Sequence, residues 1–214
     1  NDTWHVAADH EPRPVRGSEV WLVRHGETEA NVGLRWQGRT DSPLTPRGLR
    51  QARLLAERMP APSVLYTSPA GRARATADAI SRRHGIGAGP HPRLAEMDFG
   101  SWEDLTTAQA AAADPAGWSL VYERGVDAPR GGSGETFESA GRRLAAAVEE
   151  MASGGNGPVV GVTHGGVLRA FVAGTCGVPF SERLRVGLPD NLSVTRVGVG
   201  SRIHLAAYNT TLIR

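Results

Sequence analysis

Lysine is missing from this chain of 214 residues, so all 24 of its permanently positive side chains are arginines. Arginine keeps its charge at any physiological pH, and its planar fork matches two oxygens of a phosphate or carboxylate. These arginines are scattered rather than gathered into one tail, and the formal net charge is only +2. That distribution argues against the basic stripe of a nucleic-acid binder, so no nucleic-acid partner is expected. A compositional bias toward Arg, Ala and Gly accounts for much of the count, and only individual positions carry information. Cysteine is almost as scarce. The single Cys176 forbids an intramolecular disulfide, which fits a reducing compartment and makes the cytoplasm the expected location. Its neighbours Leu168, Phe171, Val172 and Gly177 predict a buried structural thiol near a helix end, with no catalytic role. No apolar run approaches the length of a bilayer span, and residues 1–17 contain no apolar block, so neither a membrane partner nor a secretory leader is expected.

What remains is ordinary globular material, 40% hydrophobic and 21% charged. It predicts a flexible N-terminal arm over 1–17 and a single α/β domain over 18–214. Val20-Trp21-Leu22-Val23 reads as a buried strand that ends in Arg24-His25-Gly26. Thr45-Pro46 starts a helix whose apolar face is Leu49, Ala52, Leu55, Ala56 and Met59, stopped by Pro60. A strand over 63–67 and an Ala/Arg-rich helix over about 69–83 follow. Residues 114–134, rich in Pro and Gly, predict a long and partly irregular excursion. Phe137, Ala140, Leu144, Val148 and Met151 mark a helix closed by Gly154-Gly155, and Pro158 to Thr163 is the strongest strand signal. Two further strands are expected at about 192–198 and 202–207. Strands alternating with helices imply a mostly parallel sheet covered on both faces.

In such a sheet, ligands gather where strands end and helices begin. Two strand ends carry His followed by Gly: Val23-Arg24-His25-Gly26-Glu27-Thr28 and Val162-Thr163-His164-Gly165-Gly166. Glycine lets backbone approach an anion, and a helix N-terminus aims free N–H groups at it. Two imidazoles beside an Arg suit a phosphate; neutral imidazoles could equally hold a metal. The acidic or Cys partners at short spacing that a metal site uses are missing, so neither metal nor cofactor is expected.

The segment Leu22 to Asn31 resembles the signature of the histidine phosphatase superfamily, the phosphoglycerate mutase-like family. Four further blocks agree in order: Arg35-Trp36-Gln37-Gly38 with Asp41 to Thr45; Tyr66 to Pro69 with Arg72 and Thr76; Leu94-Ala95-Glu96 with Phe99, Trp102 and Glu103; and Gly134-Glu135-Thr136 with Val162 to Gly166. The resemblance implies a three-layer α/β sandwich with a mostly parallel central sheet. It implies that His25 attacks phosphorus and is transiently phosphorylated, and that Arg24, Arg72 and His164 surround the phosphoryl oxygens. Asn31, Gln37 and the Gly165 backbone N–H are implied as further donors. Glu96 is implied as the acid, held protonated by its surroundings, that protonates the leaving oxygen and then assists water. The expected activity is hydrolysis of a small phosphorylated metabolite through a phosphohistidine, with a homodimer as the candidate assembly.

Each residue also has a bland reading. His25 alone could be a satisfied core histidine, and Glu96 a solvated loop acid. Arg74, Arg82 and Arg83 read as solvated helix charges, while His5, His10, His84, His91 and His204 read as surface or structural. Trp36 and Trp102 suit either closing over a substrate or half-buried packing. The chain has Ala75 where the family often has Gln and Asp104 where it often has Gly. Alternatives in function are a phosphoglycerate mutase, for which the family shows Tyr at the place of Phe99, and a non-catalytic phospho-ligand binding module.

Overall fold

The computed structural model describes residues 18–155 and 157–213; the arm expected at 1–17 lies outside them. Six strands form one sheet: β1 (Ser18–Arg24), β2 (Val64–Thr67), β3 (Ala88–Pro90), β4 (Val159–Thr163), β5 (Val194–Val199) and β6 (Ile203–Thr210). The spatial order is β3-β2-β4-β1-β5-β6. The first four of that order are parallel, whereas β5 runs antiparallel to both β1 and β6. The helices are α1 (Glu29–Val32), α2 (Pro46–Arg58), α3 (Gly71–His84), α4 (Thr107–Ala113), α5 (Pro115–Trp118), α6 (Phe137–Ala152) and α7 (Gly165–Thr175). None of the described helices is long and apolar enough to cross a membrane.

The two-residue period of the strands divides the core between the faces of the sheet. Val20, Leu22 and Val159 pack with Leu144, Val148, Leu168 and Phe171 of α6 and α7. Val23, Leu65, Val160 and Val162 pack with Ala52, Leu55, Ala77 and Ile80 of α2 and α3. The result is the three-layer sandwich that the sequence implies. The Thr45 hydroxyl caps α2 by accepting from Gly48 N, with Pro46 in the first turn.

Three details differ from the expectation. The stretch 114–134 begins in helix, because α5 runs directly into a π-turn over Ser119–Glu123. Its indole and phenol rings pack together, Trp118 on Tyr122 at 4.2 Å between centroids. Cys176 is exposed, not buried. It caps α7 one turn beyond the last buried residue of that helix, Ala173. Leu49 of α2 is likewise 40% exposed, since the buried stripe starts at Gly48 and Ala52.

Candidate active site

The parallel strands β2, β4 and β1 lie side by side and end level, Thr67 beside Val162 and Arg24 beside Thr163. Pairing continues one residue past each end, with Ser68 N donating to Val162 O at 2.9 Å and His25 N to Thr163 O at 3.0 Å. Ser68, His164 and His25 therefore stand in a row at one sheet edge, and the rings of His25 and His164 are 5.1 Å apart between centroids. This is the edge where open α/β sheets bind ligands.

His25 is 2% exposed. Its Nδ1 lies 2.8 Å from the Gly26 carbonyl, which can only accept, so Nδ1 carries the proton and Nε2 keeps a free lone pair. The Gly26 N–H is fixed in turn by Thr76 Oγ1 at 3.0 Å. Burial, then the charges of Arg24 and Arg72, hold the His25 pKa well below the usual histidine range. A neutral imidazole with its distal nitrogen unoccupied is a nucleophile ready for use.

Arg24 is tied by Nη1 to the Pro189 carbonyl, but its buried Nε has no acceptor among the described residues. An orphaned buried N–H costs about 1–3 kcal/mol, and an oxyanion would satisfy it. Arg72 is fully buried and heavily committed: Nη1 donates to Thr40 O and Asp41 Oδ1, Nη2 to Gly38 O, and Nε to His164 Nδ1 at 3.2 Å. Burial opposes the charge on Asp41, but the N–H groups of Gly71 and Arg72 and the Arg72 guanidinium outweigh it and hold its pKa below the usual value.

Since His164 Nδ1 accepts from Arg72, its proton is on Nε2, which donates to Ser68 Oγ at 2.7 Å. Both ring nitrogens of His164 are thus engaged in this arrangement, and the ring orients Arg72. Neither Arg72 nor His164 is among the residues that line the cavity over this edge. The His164 pKa is also well below the usual range, through burial first and then through Arg72, His25 and Arg24.

The two histidines make stability pH-dependent. Their folded pKa values lie below the unfolded value, so below about pH 6.5 the unfolded chain binds protons that the folded chain refuses. Stability is then complete above about pH 6.5 and falls as the pH drops, by about 1.4 kcal/mol per unit for each histidine until its folded pKa is reached. Urea midpoints at pH 7.5 and 5.5 check this. A flat profile across that window contradicts the assignment.

Glu96 sits where the loop after Leu94 meets the start of α7. Oε1 accepts from Met97 N at 2.8 Å and Val167 N at 2.7 Å, and Oε2 from Gly166 N at 3.0 Å. The carboxylate thereby caps the start of α7. Oε2 thus takes one N–H where Oε1 takes two. A Cβ on Gly166 would meet Oε1 at 2.8 Å, so glycine is what lets the acid lie there. Arg143 holds the loop, donating to the carbonyls of Arg93, Ala95 and Glu96 and pairing at 2.8 Å through both Nε and Nη2 with Glu135.

A cavity of about 570 Å³ opens over this edge, with Arg24, His25, Glu96, Asn31, Gln37 and Gly165 in its walls. Asn31 Oδ1 accepts from Thr28 N in a capping box and from Asn191 Nδ2, which leaves its Nδ2 free among the described residues. The buried Gln37 Oε1 has no donor among the described residues. Gly165 opens α7, and its N–H has no acceptor among those residues, since Glu96 takes the N–H groups of Gly166 and Val167. Trp36 is in the cavity wall, whereas Trp102 is fully buried core. Sequence reasoning gave no role to Ser68, Thr76, Asp41, Arg143 or Asn191. The first three fall inside recognisable blocks; Arg143 looks like any helix-surface arginine, and Asn191 carries no motif at all.

The sequence pattern of the histidine phosphatase superfamily (branch 1) matches residues 20–210. A probable phosphoglycerate mutase GpmB of Serratia proteamaculans is 35% identical over 183 residues, 84% of each chain. Among solved structures, the mycobacterial glucosyl-3-phosphoglycerate phosphatase complexed with VO3 superposes with a TM-score of 0.79 at 30% identity, over 91% of this chain and 100% of that one. Phosphoserine phosphatase of Entamoeba histolytica, in complex with 3-phosphoglyceric acid, gives a TM-score of 0.79 at 25% identity, over 90% of this chain and 97% of that one.

Proposed function

The chain belongs to the histidine phosphatase superfamily, and from that premise we propose that it hydrolyses small phosphomonoesters through a phosphohistidine on Nε2 of His25. The observation that carries this reading is the pinned Nδ1–H of His25, which leaves the Nε2 lone pair for phosphorus, in a cavity wall shared with Arg24, whose Nε–H has no acceptor among the described residues. Phosphoryl transfer needs alignment and charge stabilisation more than elaborate bond chemistry.

In the first step the Nε2 lone pair bonds to phosphorus as the phosphorus–oxygen bond to the leaving group breaks. The departing oxygen keeps that bonding pair and takes the proton from Glu96. Arg24, Arg72, Asn31, Gln37 and the Gly165 N–H stabilise the phosphoryl oxygens, with His164 and Asp41 holding Arg72 in place. In the second step Glu96 accepts a proton from water, the water oxygen bonds to phosphorus, and the nitrogen–phosphorus bond breaks. Neutral His25 and inorganic phosphate result. The same reading takes residues 18–214 as one histidine phosphatase domain. Its single cysteine is consistent with a cytoplasmic location, and the common two-fold symmetry of homo-oligomers with a dimer.

The second reading, a mutase, is favoured by the GpmB relatives. It differs only in the acceptor of the second step, a hydroxyl of a phosphoglycerate instead of water. Product analysis separates the two. With phosphoglycerate isomers and simple alkyl or aryl phosphates, the phosphatase reading predicts steady release of inorganic phosphate. Exchange between isomers without release overturns it in favour of the mutase.

A further inference from the structure

The same cavity has a second cationic end. Among the described residues, five arginines stand in its walls against a single carboxylate, Glu96. Arg24 serves the phosphoryl end. Three of the others, Arg130, Arg169 and Arg183, gather around Tyr122 and Phe180: the Arg183 guanidinium carbon lies 3.6 Å from the Phe180 centroid and 5.1 Å from that of Tyr122, and the Arg130 carbon 5.1 Å from Phe180. Arg130 and Arg183 are 2% and 5% exposed.

The acceptors that these groups find are mostly neutral. Arg183 donates to the carbonyls of Phe180 and Val121, and Arg169 to those of Val186 and Arg183. Neither forms an ion pair among the described residues, and Nη1 of Arg169 has no acceptor among them. Arg130 alone has a carboxylate, Asp127 at 3.0 Å, whose oxygens also take the N–H groups of Phe137 and Glu138. Tyr122 supplies no negative charge, because burial raises its pKa against the pull of the three guanidiniums. Two buried cations and a half-buried third against one shared carboxylate are a standing cost that a bound anion offsets.

We propose that Arg130, Arg169 and Arg183 form a subsite for a second acidic group of the substrate, a carboxylate or a further phosphoryl group. The substrate class is then a phosphomonoester with an acid at its far end. Phe99, near Gly166, and Trp36, 4.8 Å from Phe99 and 6.4 Å from Tyr122 between ring centroids, supply apolar wall that suits an uncharged linker. This inference rests on the phosphatase reading for which end takes the reacting phosphate.

The test compares kcat/KM over chain length for three series: ω-carboxyalkyl phosphates, α,ω-bisphosphates, and alkyl phosphates ending in a hydroxyl. Charge-assisted contacts predict a preference of about 10- to 100-fold for an acid-ended series at its best length. Which acid series is preferred identifies the group. Arg169→Gln and Arg130→Gln should each shrink the ratio of acid-ended to hydroxyl-ended kcat/KM; two variants guard against one that fails to fold. Equal kcat/KM for all three series at every length overturns the subsite while leaving the phosphatase reading intact. If no series turns over, the phosphatase reading fails. Calorimetry with the matching non-hydrolysable phosphonates then decides the subsite: tighter binding of the acid-ended compound supports it, and equal binding overturns it.

Discussion

Replacing His25 by alanine is expected to lower kcat by at least about 10⁴-fold on every phosphomonoester, the scale seen when a covalent nucleophile is deleted. His25→Asn sharpens the test. An asparagine Nδ2–H can replace Nδ1–H as donor to the Gly26 carbonyl, so the turn survives, but the amide has no nucleophilic lone pair at the position of Nε2. Both variants should therefore be equally inactive while their urea midpoints differ. A His25→Asn enzyme with more than about one per cent of wild-type kcat would mean that water attacks phosphorus directly and that the imidazole only helps to position it.

Glu96→Gln should show the next largest loss, and its size should depend on the leaving group. General acid assistance is worth about 10²–10⁴-fold where the departing oxygen is a poor leaving group. An alkyl phosphate should thus lose that factor, whereas p-nitrophenyl phosphate, whose oxygen leaves without a proton, should lose less than about tenfold in the first step. Glutamine is the right probe because Glu96 also caps α7. Alanine would strand the N–H groups of Met97, Gly166 and Val167, each at a cost of about 1–3 kcal/mol if buried. Rates are best read from single-turnover leaving-group release, since Glu96 acts again in the second step and steady-state turnover mixes the two. Equal losses on both substrate types would assign Glu96 a purely structural role.

The elements that position the reaction were legible because they are short apolar runs with abrupt polar ends. Val20 to Val23 and Val159 to Thr163 are strands for which burial leaves little choice, and each stops at a histidine followed by glycine. Adjacency of His25 and His164 then follows from the parallel pairing of β1 and β4. The helical start of the 114–134 excursion was less visible, since Pro115 and Gly117 read as turn residues. Asp114 overrides them by accepting from Gly117 N and from the Trp102 indole. Thr107–Ala113 had no assigned element either, although Thr106 and Gln109 form a capping box before an alanine-rich turn.

What the sequence hid is long-range partnership. Asn191 bonds the His25 carbonyl at 3.0 Å across 166 positions, because the antiparallel β5 brings its preceding turn back beside β1. Arg143 reads as one more charge on α6 until the fold lays three carbonyls of the Glu96 loop against it. His164 shows the same limit differently: its place at the edge was predictable, but the direction of its hydrogen bonds was not. Asp104 illustrates a local rule. Its φ of +61° lies in the left-handed region that favours glycine, and its side chain is exposed.

A rapid quench into alkali, where a nitrogen–phosphorus bond survives, followed by peptide mapping, asks where the phosphoryl group resides during turnover. The account predicts phosphate on the ring of His25 at Nε2, appearing before inorganic phosphate and decaying at the rate of its release. Phosphate trapped on any other side chain during competent turnover would contradict it.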